Sequence, residues 1–525
     1  MRRMDQTEPP ADLAALSTGF REQRDRIRTE MGGLRRVERV HDKGRLTVRE
    51  RIDALLDPGS FVEIGTFAHS ERREDFETTP GDGKITGLGK VDGRPVCLGG
   101  DDVTVLHGSS SVVGSRKMHR LEEYAMRHGH PIVYFGETGG ARLPDTLGSE
   151  GFSKVYPAIN MASRARAVPM VSAIVGESFG GSSFQSAFSD VVIQQRGSCL
   201  AVSSPRVIEI ATKEQVSFEE LGGVDVHARL TGQIDRVAET NEDVPAQLRS
   251  VLSYLPSNSW SEPPRQAWDG DLSRDESLYD LVPLRRQRAY DMRKVIARLT
   301  DDSAHFELKP EFARSLITTL GRVAGRTVGF VASQPLYNAG ALTPESCDKG
   351  ASFLCLCDAY NIPLVFLQDQ PGFLVGKRVE HDRLLNKAIM FLEALSLVRV
   401  PRLTVVLRKA FGLAYFSLSG NDMGGDRVLA WPSAEISFMD PQVGVNVVHA
   451  ARLQEAADPD AERQRLVDEW SRDTGPEGAA GIMRVDEIID PAETRRWLRL
   501  EVDRMHVEVP RKGEPKPLAY WPTCY

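Results

Sequence analysis

Two stretches of this chain, 232 residues apart, repeat each other, and a duplication constrains the fold more than any single motif. GRPV begins at Gly93 and GRTV at Gly325. The same spacing carries Pro131 of HPIVYF onto Pro363 of IPLVFL, Gly140 of ETGGAR onto Gly372 of DQPGFL, and Gly180 of GESFGG onto Gly412 of RKAFGL. Farther on, Pro205 of AVSSP falls on Pro441 of SFMDP at a spacing of 236, which puts four extra residues in the second copy.

Each copy alternates a β-branched strand, a glycine turn and a helical stretch, as in IVYFGETGGARLPD and VPMVSAIVGESFGGSSFQSAF, then LVFLQDQPGFLVG and RLTVVLRKAFGLAYF. Strands alternating with helices predict an α/β fold rather than a sandwich or a helical bundle. The 525 residues exceed what one core supports. We therefore expect one domain over residues 1–255, a linker over 256–276 rich in Pro, Ser and charge, and a second domain over 277–525. REQRDRIRTEMGGLRRVERV and LTVRERIDALL carry a helical period, which predicts a helical extension on the first copy; a helix for a coiled-coil partner is the alternative.

Composition removes several function classes. A net charge of -8 with mixed signs offers no basic face for nucleic acid. Cys97, Cys199, Cys347, Cys355, Cys357 and Cys524 form no CxxC, so no metal is expected in this chain. Cys355 and Cys357, in the apolar run SFLCLCDAY, read as buried thiols. No apolar run reaches the roughly 18 residues of a membrane span. The beginning MRRMDQTEPPADLAAL lacks the apolar core of a signal peptide, so a cytoplasmic location without membrane contact is expected.

A strand that ends in Gly-Gly before a helix exposes backbone N–H groups suited to an oxyanion. Gly139-Gly140 and Gly180-Gly181 offer this in the first copy, and Gly372 and Gly412 to Ala414 in the second. A tight turn, or close packing of helix on strand, accounts equally well for any one of them. GESFG also matches GxSxG, which would put Ser178 on a nucleophile elbow, but RKAFG has no serine and no histidine is assignable as base. Ser182 and Ser183 read as helix caps, and His107, His381 and His449 as surface or packing residues. No HExxH, GxxxxGK[ST] or GxGxxG opening a βαβ unit occurs.

From about Gly44 to Leu500 the chain resembles the carboxyltransferase (β) subunits of biotin-dependent acyl-CoA carboxylases, the propionyl-CoA and methylcrotonyl-CoA type. LTVRERIDALLDPGSFVE, ETGGAR, SFEELGG, LSYLPSN, YDMRKVI, CDAYNIPLV, PGFLVG, RKAFGLAY, AWPSAEI and DPAETR are similar to family segments in family order. The resemblance implies two tandem crotonase-like ββα superhelical domains. It implies dimers in which the first domain of one chain faces the second of its neighbour, stacked as a trimer into a homohexamer. Acyl-CoA would bind the first domain and carboxybiotin the second, and the carboxyl group would pass to the acyl-CoA through a thioester enolate. By this analogy the N–H groups of Gly180 and Gly181 steady the thioester oxygen and those of Leu413 and Ala414 the biotin ureido oxygen, with Gly139, Gly140, Ala141 and Gly372 binding substrate. No AMKM-type biotin segment or ATP-grasp loop occurs, so the resemblance puts biotin carboxylase and biotin carrier on a partner (α) subunit.

The chain also departs from the family. KAFGLAYF stands where the propionyl type has KAYGGAYD, so Leu413 adds bulk and would make a positive φ costly. Phe416 occupies a position resembling the one that tunes acyl choice. GESFGGSSFQSA differs from the commoner GPCAGGAVYSPA. These departures leave two alternatives: a malonyl-type acyl-CoA decarboxylase of the same fold, and a non-catalytic β-like assembly or regulatory subunit.

Overall fold

The computed structural model describes residues 12–155, 164–270 and 274–522; Cys524, most of the first sixteen residues and part of the 256–276 stretch lie outside them. The chain divides into two units, Met1–Ser259 and Trp260–Tyr525. The start of the expected linker packs on the first unit, where Ser259 N–H donates to Ala167 O, and later residues pack on the second, where Gln266 N–H donates to Gly325 O and Asp275 N–H to Ala492 O.

The first unit holds one sheet of eight strands: β1 (Val62–Ile64), β2 (Lys84–Val91), β3 (Arg94–Asp101), β4 (Ile132–Thr138), β5 (Met170–Phe179), β6 (Val191–Gln195), β7 (Cys199–Ala201) and β8 (Arg236–Ala238). Their order is β1-β2-β3-β4-β5-β6-β8, with β7 beside β5. β1, β2 and β3 pair antiparallel, and the rest of the sheet is parallel. The second unit repeats it with β9 (His305–Leu308), β10 (Leu316–Val323), β11 (Arg326–Ser333), β12 (Leu364–Gln370), β13 (Arg402–Phe411), β14 (Arg427–Ala430), β15 (Glu435–Ser437) and β16 (Glu487–Ile488). Its order is β16-β14-β13-β12-β11-β10-β9, with β15 beside β13. Even the irregularities repeat: register shifts between Gly136 and Thr138 in the first sheet and between Gln368 and Gln370 in the second.

Local sequence explains these elements. GRPV and GRTV begin with the second residue of two-residue hairpins, Asp92-Gly93 and Ala324-Gly325, where all four residues have positive φ. β4 and β12 are buried along their whole length, as parallel strands covered on both faces are. Between β3 and β4, Ser111 caps the helix Val112–His128 through Gly114 N–H, and Gly129 ends it in the left-handed region. In the second unit Asp291 caps the helix Met292–Leu299, whose buried Met292, Val295, Ile296 and Leu299 follow the i, i+3, i+4, i+7 pattern. These side chains join Phe330 and Leu367 in the core, each contributing about 1.5–3 kcal/mol by burial. The N-terminal region forms the helices Leu13–Glu30, Leu34–His41 and Val48–Leu55, as its period predicts, within the first unit.

Glu122, on the helix Val112–His128, is buried, and the Gln185 side chain donates to its Oε1 at 2.6 Å. Burial pushes its pKa from 4.5 to about 7. The folded chain therefore binds more protons at this site than the unfolded chain above pH 4.5, so the contribution of the group is lost as pH rises through about 7. Glu122→Gln is expected to remove about 1–3 kcal/mol of the fall in stability between about pH 5 and 8, read from denaturant midpoints.

Candidate active site

β5 ends at Phe179, Gly180 takes φ 59° and ψ −127°, and the helix Gly181–Ala187 begins. Only glycine is comfortable at such angles. β13 ends the same way: Gly412 has φ 64° and ψ −156°, and the helix Leu413–Ser417 follows. Gly180 N–H donates to Val202 O at 3.1 Å, and Gly412 N–H to Ser437 O at 3.0 Å. Among the described residues, the N–H groups left without an acceptor at the two helix starts are those of Gly181, Ser182 and Ser183, and of Leu413 and Ala414.

This corrects two expectations. The free N–H groups of the first turn begin at Gly181, in register with Leu413, and not at Gly180, which shapes the turn while its own N–H is engaged. Leu413 carries no positive φ, because Gly412 takes it, so the leucine leaves the backbone unstrained. Its side chain is half exposed at 51%.

The neighbouring loops close on these turns. Ser110 N–H donates to Gly140 O and Arg142 N–H to Ser110 O, both at 2.8 Å, which pairs Ser110 with Ala141. A Cβ placed on Gly181 would lie 3.6 Å from Ser110 Oγ, so the Gly139–Ala141 loop and the Gly180–Gly181 turn meet around one serine. Leu342 and Phe373 make the same bridge in the second unit, with Leu342 N–H donating to Gly372 O at 3.1 Å. A Cβ on Gly372 would lie 3.9 Å from Phe411 O, next to the second turn.

Under the first turn runs a buried polar network. Tyr134 OH meets Asp101 Oδ2 at 2.8 Å and Ser182 Oγ at 2.9 Å, while Ser178 Oγ donates to Ser182 Oγ at 3.0 Å. Lys84 pairs with the other Asp101 oxygen, and Glu137 N–H donates to Oδ2 at 3.0 Å. Burial and the Asp101 carboxylate hold the Tyr134 phenol well above its usual pKa. Ser182 therefore serves this network rather than capping the helix, and Ser183 Oγ bonds Gly180 O. Ser178 is fully buried in the same network and presents no nucleophile. At the equivalent positions the second copy has Leu316, Ser333, Phe366, Ala410 and Ala414. Sequence reasoning missed this network; its signal was a Lys and an Asp within strands otherwise fit for a core.

One acid sits at the end of β4 and its equivalent at the end of β12. Glu137 meets Arg45 Nη2 at 2.7 Å, and burial pushes its pKa up to about 7. Gly176 makes room for that guanidinium: its Cβ would lie 2.0 Å from Arg45 Nη2. In the second unit Asp369 Oδ2 takes Arg408 at 2.9 Å and Oδ1 takes Lys409 Nζ at 2.6 Å.

A cavity of about 280 Å³ opens beside Glu137, walled by Arg36, Arg39, Lys43, Arg45 and His107. Arg36 Nη1 donates to the carbonyl oxygens of Gly32 and Thr104 at 3.3 and 3.2 Å, which leaves its charge uncompensated. Glu137 is the one acid of this lining, so the cavity suits a polyanion. It reaches the Gly139 loop directly, because His107 O accepts from Gly139 N–H at 2.9 Å. Arg36 and Arg39 lie in the helix Leu34–His41 and Arg45 in the loop after it, a segment whose charges the sequence presents as solvated surface.

Phe416 is half-buried, 5.1 Å from the Tyr415 ring and packed against Ala410, Val428 and Ala434. Cys97, Cys199, Cys347, Cys355 and Cys357 are free and buried. Among the described residues no group of His, Cys, Asp or Glu could hold a metal ion, and no helix is long and apolar enough to cross a membrane.

Comparison with known proteins gives four findings. The carboxyl transferase domain family matches residues 39–513. The methylmalonyl-CoA carboxyltransferase 12S subunit of Propionibacterium freudenreichii subsp. shermanii is 38% identical, over 89% of each chain. The propionyl-CoA carboxylase carboxyltransferase subunit of Haloferax mediterranei is 38% identical, over 92% of this chain and 94% of that one. Among solved structures, a transcarboxylase 12S hexamer with methylmalonyl-coenzyme A bound superimposes with a TM-score of 0.89 at 35% identity, covering 97% of this chain and 99% of that one.

Proposed function

On the premise that this chain belongs to the carboxyl transferase domain family, we propose that it binds acyl-CoA in its first unit and receives partner-borne biotin at its second. It is a carboxyltransferase subunit of the acyl-CoA carboxylase and transcarboxylase family, with the tandem crotonase-type fold of that family. The observation that carries the finer reading is the pair of helix starts, each with its first two N–H groups free and the preceding glycine N–H engaged.

Gly181 and Ser182 N–H hold the thioester oxygen, so negative charge collects there as the α carbon gives up its proton. Ser110 keeps the Gly139–Ala141 loop against that turn and bounds the space for the acyl group. Leu413 and Ala414 N–H fit a ureido oxygen, the polar atom that such a carrier presents. Carboxylated biotin on a partner α subunit supplies the carboxyl group. The basic cavity takes the phosphates of CoA, and Phe416 fixes the packing behind the second turn. The likeness to the 12S hexamer supports a homohexamer, and five buried free thiols suit a reducing cytoplasm.

The test is mass-spectrometric turnover of a panel of acyl-CoAs, with and without biotinylated carrier, biotin carboxylase, ATP and bicarbonate. Carboxylation that needs the carrier supports the reading. Loss of CO2 from a malonyl-type CoA by the chain alone would replace it with decarboxylation, and failure in every arm would leave an assembly subunit. For the cavity, Arg36→Ala with Arg39→Ala is expected to raise the acyl-CoA KM about 10- to 100-fold and leave kcat within about 3-fold, since phosphate contacts bind ground and transition states alike.

A further inference from the structure

Three consecutive serines, Ser109 to Ser111, precede the helix Val112–His128, and two of them serve the fold. Ser109 Oγ accepts from Arg142 Nε at 3.3 Å, and Ser111 Oγ accepts from Gly114 N–H at 2.9 Å while donating to Asp82. Both serines are buried, and Arg142 pairs with Asp82, so the residues on either side of Ser110 are tied to one buried network. The hydroxyl of Ser110 itself bonds no described residue. Ser110 is half-buried and its Oγ is open to solvent, so the group is not a polar atom stranded in the interior.

That hydroxyl faces the first turn. A Cβ placed on Gly181 would stand 3.6 Å from Ser110 Oγ, and outside the turn's own chain no other atom lies within 4 Å of that point. The backbone bridge between Ser110 and Ala141 does not need the hydroxyl, because Leu342 makes the same bridge to Phe373 in the second unit. Leu342 is fully buried there. The loops beside the first turn thus carry a hydroxyl and a methyl group where those beside the second carry leucine and phenylalanine. A hydroxyl that the fold does not use, held by its neighbours beside the free N–H of Gly181, can still donate one hydrogen bond and accept others.

We propose that Ser110 is a specificity residue: its hydroxyl selects acyl-CoAs whose acyl group carries a hydroxyl or carbonyl oxygen a few atoms from the thioester. An acyl chain whose thioester oxygen sits on Gly181 N–H passes Ser110 within its first few carbons, and an oxygen there meets a partner that an alkyl chain leaves unused. A site that hydrogen-bonds a substrate oxygen discriminates against the analogue without it more sharply than an apolar pocket sorts chains by size. This rests on the reading that the first turn holds the thioester oxygen, and the two are separable by experiment.

The probes are butyryl-CoA and each enantiomer of 3-hydroxybutyryl-CoA, which differ by one hydroxyl. Calorimetry gives Kd for the full chain alone, and turnover in the complete enzyme with its biotinylated partner gives kcat/KM. The native chain is expected to favour one hydroxylated enantiomer over butyryl-CoA about 10-fold in both measures. Ser110→Ala is expected to bring that ratio close to one, Ser110→Leu to reverse it, and Ser110→Thr, which keeps the hydroxyl, to retain most of it. A native chain without the preference overturns the proposal. So does a ratio that Ser110→Ala leaves as it was, since equal losses on both substrates would assign the hydroxyl to the part they share. A Ser110-dependent preference in Kd from a chain that transfers no carboxyl group would sink the functional reading and leave the selection standing.

Discussion

Gly412→Ala is expected to lower carboxyl transfer at least about 100-fold while the chain stays folded, measured as kcat in the complete complex. At φ 64° and ψ −156° a Cβ is strained whatever the space, and here it would also stand 3.3 Å from Phe438 O. The turn would relax toward ordinary angles, and both free N–H groups beyond it would swing off their common target. Losing one oxyanion donor costs about 2.7–4 kcal/mol in the transition state, so misdirecting two exceeds any other single change at this site. Leu413→Gly is the control: Leu413 donates through its backbone at a normal φ, so the expected change is within about 5-fold. If the glycine variant at 413 lost as much as the alanine variant at 412, the leucine side chain and not the turn would hold the reactant.

Lys84→Met carries the largest expected loss of stability. Lys84 and Asp101 are both buried and paired, and Asp101 also anchors Tyr134, Ser182 and the Glu137 N–H. Removing one partner of a buried pair strands the other charge, at a cost of about 3–5 kcal/mol. The loss should appear as a lowered denaturant midpoint for the first unit. The double variant Lys84→Leu with Asp101→Ser reproduces Leu316 and Ser333 of the second copy and should recover part of that loss. Equal destabilisation in single and double variants would show that the network holds the turn by shape and not by its charge balance.

The repeat made the architecture legible, since every anchor at spacing 232 marks an equivalent point: hairpin, strand, loop and helix start. It also located both turns. Assigning the donors needed the structure, because Val202 O, just after β7, and Ser437 O, at the end of β15, come from farther along the chain, and no local pattern says that they take the first glycine N–H of each turn. Positive φ at 412 rather than 413 was invisible for the same reason. The buried charges were hidden differently. Lys84, Asp101, Arg408 and Lys409 look like solvated residues in a composition of 27% charged side chains, and only their partners across the sheet bury them. Arg45 is the extreme case, a cation of the N-terminal segment whose destination is a gap left by Gly176.

That gap marks a difference in how the two halves answer a buried acid. The second half carries its counter-cation on the strand next to the acid, so nothing outside the sheet is needed to answer Asp369. The first half borrows its own from a segment ahead of the sheet. Cutting the chain after Arg45 would leave every strand intact and yet take from Glu137 the cation that it meets at 2.7 Å, with Arg51 alone left to face it. The segment ahead of the sheet is thus a clasp on the first unit, closed through the space that Gly176 leaves.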